Sequence, residues 1–357
     1  MKKIVAFFAL IMVIANTSMQ AQNCAWAKAV GGDKDDFGQS VFTDANNNVY
    51  LVGFFRSATI TFGTITLTNA DITGNTSDIY IAKYDSNGNV LWANSTGGTD
   101  DEMGQSVCSD ASDNVYLTGK FQSPSITFGT TTLTNTASTQ DDIFIVKYAS
   151  NGNVLWAKSA GGNNEDYSNS IATDINENVY LTGGFKSSSI SFGANTLSNL
   201  NVGTDDIFVV KYDPNGNALW ANSHGGTGYD YGKSLSTDVS GNIYLTGSFW
   251  STSITFGTTT LSTAGAQDIF IVKYNSNGIV QWVNSAGGPS TDDGLSTSTD
   301  ANGNVYVSGS FLSNAITFGT FNLSNPMNGI SQIFIVKYTP NGTVLWVKSE
   351  GGNSDAV

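Results

Sequence analysis

The sequence predicts an all-β protein assembled from five copies of one four-stranded antiparallel unit. The first observation is a fifteen-residue stretch, 78–92, that returns at 142–156, 206–220, 268–282 and 332–346. The second is composition: charged residues make up only 12% of the 357 residues, whereas glycine occurs 39 times, which suits short strands and many turns. The third is that no stretch beyond the N-terminus keeps a helical apolar period. Long helices are therefore not expected.

The spacing of the repeats is nearly constant. Six of the seven tryptophans mark the repeat and are 66, 64, 64, 62 and 64 residues apart, at Trp26, Trp92, Trp156, Trp220, Trp282 and Trp346. Within each interval, the distance from the tryptophan to the following Phe-Gly pair does not change, and all length variation falls in one later segment. A rigid scaffold with one tolerant surface loop explains this pattern, and unrelated tandem domains would not keep it.

Each repeat divides into four main strands and one small hairpin, here placed on the second copy. Two turns rich in Asp, Asn and Gly join the first strand to the second and the third to the fourth, and Asn-Gly supplies the positive φ of a tight turn. The fourth strand carries polar residues, as an outermost edge strand does. The predicted segments are 106–110, 114–121, the hairpin 126–134, 143–148 and 153–159.

The third strand decides the architecture, because both of its faces are apolar. Ile143 and Ile145 lie on one face, and Phe144, Val146 and Tyr148 lie on the other. A sheet that is apolar on both sides must be covered on both sides. Radial stacking of like sheets achieves this, and four strands per unit is typical of a β-propeller blade. A β-helix is a weaker alternative, since its coils are shorter and need no such hairpins.

The repeat resembles the SBBP family, the "seven-bladed β-propeller" repeats of secreted bacterial proteins. The pattern that carries the resemblance combines Gly-Gly, Asp-x-x-Gly/Asn-Asn-Val-Tyr-Leu-Thr-Gly and Lys-Tyr-Asp-x-Asn-Gly-x-x-x-Trp, and it covers nearly all of 23–352. The resemblance implies a seven-bladed ring. It carries no catalytic residues to transfer, because the family is defined by architecture.

We expect one repeat domain, 22–357, that forms an incomplete ring. The segment around Trp26 matches a fourth strand that lacks the first three, and a truncated repeat starts at 351. Five copies are therefore complete and the units at the two ends are partial. The predicted repeats are about 31–94, 97–158, 161–222, 225–284 and 287–348, followed by 351–357.

The N-terminus predicts export. Lys2 and Lys3 precede an apolar run over 4–15, and a small polar tail ends near residue 21, which is typical of a secretory signal peptide. The run is too short for a comfortable membrane span. The net charge of −14 disfavours nucleic acid and anionic membrane as partners. We therefore expect a secreted or cell-surface protein without membrane insertion.

One set of acidic residues recurs just after the Gly-Gly loop of each repeat. In a propeller these loops lie on one face, so the carboxylates would surround the mouth of the channel and could hold a cation such as calcium. The alternative is that each carboxylate caps its own loop by accepting backbone N–H bonds. No other cofactor is expected. The set is Asp36, Glu102, Asp166, Asp230 and Asp292.

Other chemically active residue types point to structure rather than catalysis. The lysine of each third strand is expected to lay its stem on apolar neighbours and pair with a carboxylate. The single histidine, His224, is expected in an exposed loop, and Cys24 and Cys108 occupy different repeat positions and are not expected to pair. Trp250 breaks the repeat and is a candidate exposed aromatic on the loop face, with packing beneath the adjacent loop as the alternative.

Three classes of function fit these features. The first is a non-catalytic binding or adhesion module for an extracellular protein or polysaccharide. The second is a structural spacer or display scaffold of a larger exported protein. The third is a quinoprotein-like enzyme, because Gly88 and Trp92 share a Gly-x-x-x-Trp spacing with such propellers, although no catalytic or cofactor-binding set is visible. We expect the first and do not expect an enzyme.

Overall fold

A computed structural model describes residues 24–137, 139–327 and 329–351. Throughout these ranges the regular structure is β-strand, with no helix. The predicted signal peptide, 1–21, lies outside the described residues, as does the truncated repeat after Gly351. No helix in this part of the chain has the length and hydropathy to cross a membrane.

Within the described residues, thirty strands form five blades of six strands each. Blade 1 contains β1 (Asp36–Thr43), β2 (Val49–Phe55), β3 (Thr59–Phe62), β4 (Ile65–Thr68), β5 (Asp78–Tyr84) and β6 (Val90–Thr96). Blade 2 contains β7 (Glu102–Ser109), β8 (Val115–Phe121), β9 (Ser125–Phe128), β10 (Thr131–Thr134), β11 (Asp142–Tyr148) and β12 (Val154–Ala160). Blade 3 contains β13 (Asp166–Thr173), β14 (Val179–Phe185), β15 (Ser189–Phe192), β16 (Asn195–Ser198), β17 (Asp206–Tyr212) and β18 (Ala218–His224). Blade 4 contains β19 (Asp230–Thr237), β20 (Ile243–Phe249), β21 (Ser253–Phe256), β22 (Thr259–Ser262), β23 (Asp268–Tyr274) and β24 (Val280–Ala286). Blade 5 contains β25 (Asp292–Thr299), β26 (Val305–Phe311), β27 (Ala315–Phe318), β28 (Phe321–Ser324), β29 (Gln332–Tyr338) and β30 (Val344–Glu350).

Every blade has the same topology. Its four long strands form one antiparallel sheet in the order first, second, third, fourth, and the two short strands form a separate hairpin. The same bulges recur: one in the first strand, between Gly38 and Ser40 in blade 1, and one in the fourth strand, where Leu91 lies between the residues that pair with Lys83 and Tyr84. The predicted four strands with a small hairpin are confirmed.

The hydrophobic core lies between consecutive blades. The face of a blade that packs on the preceding blade is called here its leading face, and the opposite face its trailing face. Ile79 and Ile81 on the trailing face of blade 1 pack with Val107, Leu117 and Phe144 on the leading face of blade 2. The third strands of blades 1 to 4 are buried along their whole length. The third strand is therefore covered on both faces, as predicted.

The five blades form an open arc, in agreement with the predicted incomplete ring. At one end Val41 of the first strand is 66% exposed, and at the other Ile333 of the last third strand is 46% exposed. The segment around Trp26 belongs to no sheet, yet its indole stacks on Tyr84 and donates to the Ser86 carbonyl at 3.1 Å. This is the contact that later blades receive from the fourth strand of their predecessor.

Candidate binding face

One end of the arc gathers the segments that enter the first strands and leave the second strands. We call this end the loop face. In blade 4 the two segments are joined by a hydrogen bond from the Trp250 amide to the Tyr229 carbonyl, at 2.9 Å. Equivalent bonds link Gln122 to Asp101 and Lys186 to Glu165. The turns rich in Asp and Asn lie at the opposite end of the strands.

The repeated acidic residues of the loop face are engaged within their own blades. Asp166 accepts hydrogen bonds from the Ser187 hydroxyl at 2.7 Å and from the Ser187 and Lys186 amides at 3.2 Å. The other acidic residues of the set are held in a similar way, and four of the five are fully buried. Asp36, Asp230 and Asp292 accept equivalent serine hydroxyl bonds, and Glu102 accepts the Ser123 amide at 3.0 Å.

This geometry is that of the loop-capping alternative. The carboxylates are turned into their own loops instead of converging at an open mouth. Across the described ranges, no three His, Cys, Asp or Glu side chains are grouped so that they could hold a metal ion. A role of the set in calcium binding stays a prediction, for which this arrangement provides no additional support.

A second carboxylate, which sequence reasoning missed, faces four of these five acids across a blade junction, the exception being Asp36 of blade 1. It is the aspartate that opens the third strand, as in Asp78 opposite Glu102 and Asp206 opposite Asp230. Burial raises the pKa of Glu102 to about 7 and the pKa values of Asp78, Asp206 and Asp230 to about 6, and the neighbouring carboxylate adds to the shift for Glu102 and Asp206. The signal was present in the sequence, since this aspartate opens four copies of the repeat.

The third-strand lysines form a structural clamp at the opposite end, as predicted. Lys147 pairs with Asp110, with 3.2 Å between Nζ and Oδ2, and lies over the Tyr116 ring at 4.9 Å. Its ammonium also donates to the Pro214 carbonyl of the next blade at 3.3 Å. Trp156 Nε1 donates to the same carbonyl at 3.1 Å. The aspartate of the clamp also accepts hydrogen bonds from its own turn, since the amides of Ser112 and Asn114 donate to Asp110.

Two exposed aromatic residues interrupt the repeat on the loop face of blade 4. We call this pair, Trp250 and Tyr229, the aromatic platform. Trp250 is 48% exposed and Tyr229 is 42% exposed. Tyr229 stacks on Tyr231, with 6.5 Å between ring centroids and 13° between planes, and Lys233 Nζ lies 4.5 Å from the centroid of Tyr231. The indole N–H of Trp250 donates to Gln267, whose amide donates in turn to Asp293. These contacts hold the Trp250 ring in place while leaving about half of it open to solvent.

No other blade carries aromatic residues at both of these positions. The position of Trp250 holds non-aromatic residues in the other copies, namely Arg56, Gln122, Lys186 and Leu312. The position of Tyr229 likewise holds Asp35, Asp101, Glu165 and Thr291. The candidate exposed aromatic, Trp250, therefore lies on the loop face and belongs to a larger aromatic group that the repeat pattern does not predict.

Paired charges lie beside the platform on blades 2 and 3. Lys120 Nζ is 2.6 Å from Asp141 and 3.7 Å from Glu165, and Lys186 pairs with Glu165 as well. Burial raises the pKa of Asp205, which the ammonium of Lys186 opposes. This part of the face is polar and largely neutralised.

The prediction of an exposed loop histidine is wrong. His224 is buried at the end of β18, where Nδ1 is 2.9 Å from the Thr255 carbonyl and Nε2 is 2.8 Å from the Tyr274 hydroxyl. Burial lowers its pKa to about 4, so the ring is neutral at physiological pH. The missed signal is that alanine fills this position in two other copies, as Ala160 and Ala286, which marks it as facing inward. Both cysteines are free, as expected: Cys24 is exposed and Cys108 is buried.

Comparisons with known proteins agree with the repeat architecture. The SBBP β-propeller repeat model matches residues 155–183. The chain is 26% identical over 321 residues to the uncharacterized WD repeat-containing protein L264 of Acanthamoeba polyphaga mimivirus, covering 74% of this chain and 23% of that protein. It is 29% identical over 146 residues to the regulatory protein FlaEY of Caulobacter vibrioides, covering 41% and 15%. The chain thus spans less than a quarter of the length of either relative.

A solved structure of a protein of unknown function from Bacteroides caccae is also similar, with a TM-score of 0.34 and 9% identity over 76% of this chain and 90% of that one. So weak a likeness does not bear on the fold. The blades and the repeat match together define the class: the chain is a β-propeller repeat protein, and the resemblance noted from its sequence is confirmed.

Proposed function

We propose that the protein is a non-catalytic binding module that recognises an extracellular protein or glycan on its loop face. The observation that carries this proposal is the aromatic platform of Trp250 and Tyr229. Fixed aromatic rings that stay exposed on a rigid scaffold provide large contact area at a small cost in conformational entropy. The other blades carry polar or aliphatic residues at the position of Trp250, so the fold does not need an aromatic ring there. The platform therefore favours ligand recognition over a role in packing beneath the adjacent loop.

An array of glycans and extracellular proteins probed with the purified chain tests this function. The Trp250→Ala variant is expected to lose affinity for any ligand found by about tenfold or more, the usual effect of truncating a central aromatic anchor. The matched control is Leu312→Ala, at the same position in blade 5, which should bind normally. Equal binding by Trp250→Ala would remove the platform from the proposal, and an array without ligands would favour the structural spacer.

The proposed location of this activity is outside the cell or on its surface. The basic and apolar segments before residue 21 and the acidic composition support export. Mass spectrometry of the protein recovered from the producing cells is expected to find a chain that starts near residue 22 in the extracellular or surface fraction. An unprocessed chain confined to the cytoplasm would contradict export.

A further inference from the structure

A buried glutamine connects the aromatic platform of blade 4 to blade 5. The indole N–H of Trp250 donates to the side-chain oxygen of Gln267. The amide nitrogen of Gln267 donates to the hydroxyl of Ser248 and, at 2.5 Å, to the carboxylate of Asp293. The Ser248 hydroxyl donates to the same carboxylate oxygen at 2.6 Å. We call these four residues the Trp250 network, and both polar groups of the Gln267 side chain have partners within it.

The main chain of Gln267 is also fixed from blade 5. Its carbonyl accepts the amide of Asp292 at 2.8 Å, and the residue forms an isolated bridge with Thr291. Gln267 is only 5% exposed, and Ser248 is fully buried. The one polar atom of the Trp250 ring is therefore bonded to a side chain that two blades hold in place. Blade 5 thus sets the pose of an aromatic residue that belongs to blade 4.

The equivalent positions of blades 2 and 3 hold ion pairs. In blade 3 the two platform positions are occupied by Lys186 and Glu165, which pair with each other. In blade 2 the position of Gln267 is occupied by Asp141, which lies 2.6 Å from Lys120 Nζ. A neutral amide both donates and accepts, so it can bond an indole N–H and a carboxylate at once, which neither a carboxylate nor an ammonium can do. The aromatic platform and the glutamine beneath it therefore act as one unit.

The Trp250 network decides what the platform offers to a ligand. Because the indole N–H is bonded within the protein, Trp250 presents the face of its ring and not its polar edge. A side chain that is already fixed spares the complex an entropy loss that otherwise weakens binding by about twofold to tenfold. We propose that Gln267 is a positioning residue, through which blade 5 fixes the Trp250 ring in the pose that binds ligand. This inference rests on the proposed function of the platform.

Hydrogen exchange of the indole protons, followed by ¹⁵N NMR, tests the positioning without any ligand. The chain has seven tryptophans, and the signal of Trp250 is identified by its absence in Trp250→Phe. Gln267→Met keeps most of the side-chain volume but removes the acceptor. The Trp250 indole proton is then expected to exchange about fivefold faster, the usual effect of losing one hydrogen bond. The other six indole signals should not move, which shows that the variant is folded.

The array of glycans and extracellular proteins measures the effect on binding. Gln267→Met should weaken the capture of each array member that the unmodified chain binds by about twofold to tenfold. The double variant Gln267→Glu with Asp293→Asn exchanges donor and acceptor between the two positions and still offers an acceptor to the indole. It is therefore expected to restore slow exchange and binding. The control is Gln281→Met, on the exposed fourth strand of the same blade, which should leave both measurements unchanged.

The outcomes separate the positioning role from the function of the platform. Equal indole exchange in the unmodified chain and in Gln267→Met overturns the proposal, and so does faster exchange with unchanged binding. A double variant that behaves like Gln267→Met also counts against the Trp250 network. An array on which the unmodified chain binds nothing contradicts the proposed function, whereas the exchange measurement still decides whether Gln267 holds the ring.

Discussion

At the scale of single residues, the turn between the third and fourth strands shows how tightly neighbouring blades fit. Gly152 has a φ of +86°, in the left-handed region that favours glycine. A Cβ at this position would also lie 2.9 Å from the Trp92 ring of the preceding blade. The Asn-Gly pairs that the sequence identified as turn signals therefore serve two purposes. They allow the turn, and they leave room for the tryptophan that marks the repeat.

Gly152→Ala should consequently destabilise the fold by about 2–4 kcal/mol, through left-handed strain together with overpacking against Trp92. Gly203→Ala is the matched control, because Gly203 has a φ of +95° and no atom within 4 Å of its Cβ position. That variant should lose only about 1–2 kcal/mol, from strain alone. Urea unfolding of both proteins measures the difference, and equal losses would show that contact with Trp92 contributes nothing.

At the scale of the element, the third strand connects one blade to the next. Its aliphatic residues supply the apolar contact, and its lysine reaches a carbonyl of the following blade while pairing with the turn aspartate of its own. A lysine within a buried strand is tolerated because its stem packs on a tyrosine ring and its ammonium has a carboxylate partner. The clamp thus combines packing with a partly buried ion pair.

Removing that ammonium should be costly. Lys147→Met keeps most of the side-chain volume but leaves Asp110 buried without its cation, so a loss of about 3 kcal/mol is expected. Lys158→Met, on the exposed outer strand of the same blade, should change stability by about 0.5 kcal/mol at most. Thermal unfolding monitored by near-UV circular dichroism compares them, and similar losses in both variants would disprove a structural role for the Lys147 pair.

At the scale of the whole molecule, the four junctions repeat one another, so their electrostatic effects accumulate. Burial raises the pKa values of Glu102 and Asp166 to about 7, and several other junction carboxylates follow the same pattern. The unfolded chain releases these protons near pH 4, according to ordinary carboxyl pKa values. Between about pH 4 and pH 7 the folded protein therefore holds more protons than the unfolded chain.

Stability should accordingly fall as the pH rises through this window, and the midpoint of thermal unfolding should be higher at pH 5 than at pH 8. His224 opposes the trend, because its lowered pKa favours the unfolded chain as the pH falls below about 6.5. The effect of this single histidine on stability is smaller than the summed effect of the several junction carboxylates. In Asp206→Asn the midpoint of thermal unfolding should fall less steeply as the pH rises. Gln332, the equivalent residue of blade 5, shows that an amide is accommodated at this position. A midpoint that is flat or rises from pH 5 to pH 8 would contradict this account.

Much of the fold could be predicted because its signals are local and repeated. The two-sided apolar pattern of Ile143 to Tyr148, the Asn-Gly turns and the constant spacing of the tryptophans each follow from strand and turn geometry within one unit. The candidate site was harder to predict. Its two exposed members, Trp250 and Tyr229, come from separate segments and depart from the repeat, so periodicity carries no information about their meeting.

The sequence by itself determined the repeat, the strands, the blade architecture and the position of the loops, because a period of about 64 residues leaves few ways to bury sheets that are apolar on both sides. Only the tertiary structure decided which face of each blade is covered, that the repeated acids are enclosed in their own loops, and that His224 is buried. Those outcomes depend on contacts between units distant in sequence. The uncovered Ile333 and Ile335 differ from their buried equivalents in surroundings and not in residue type.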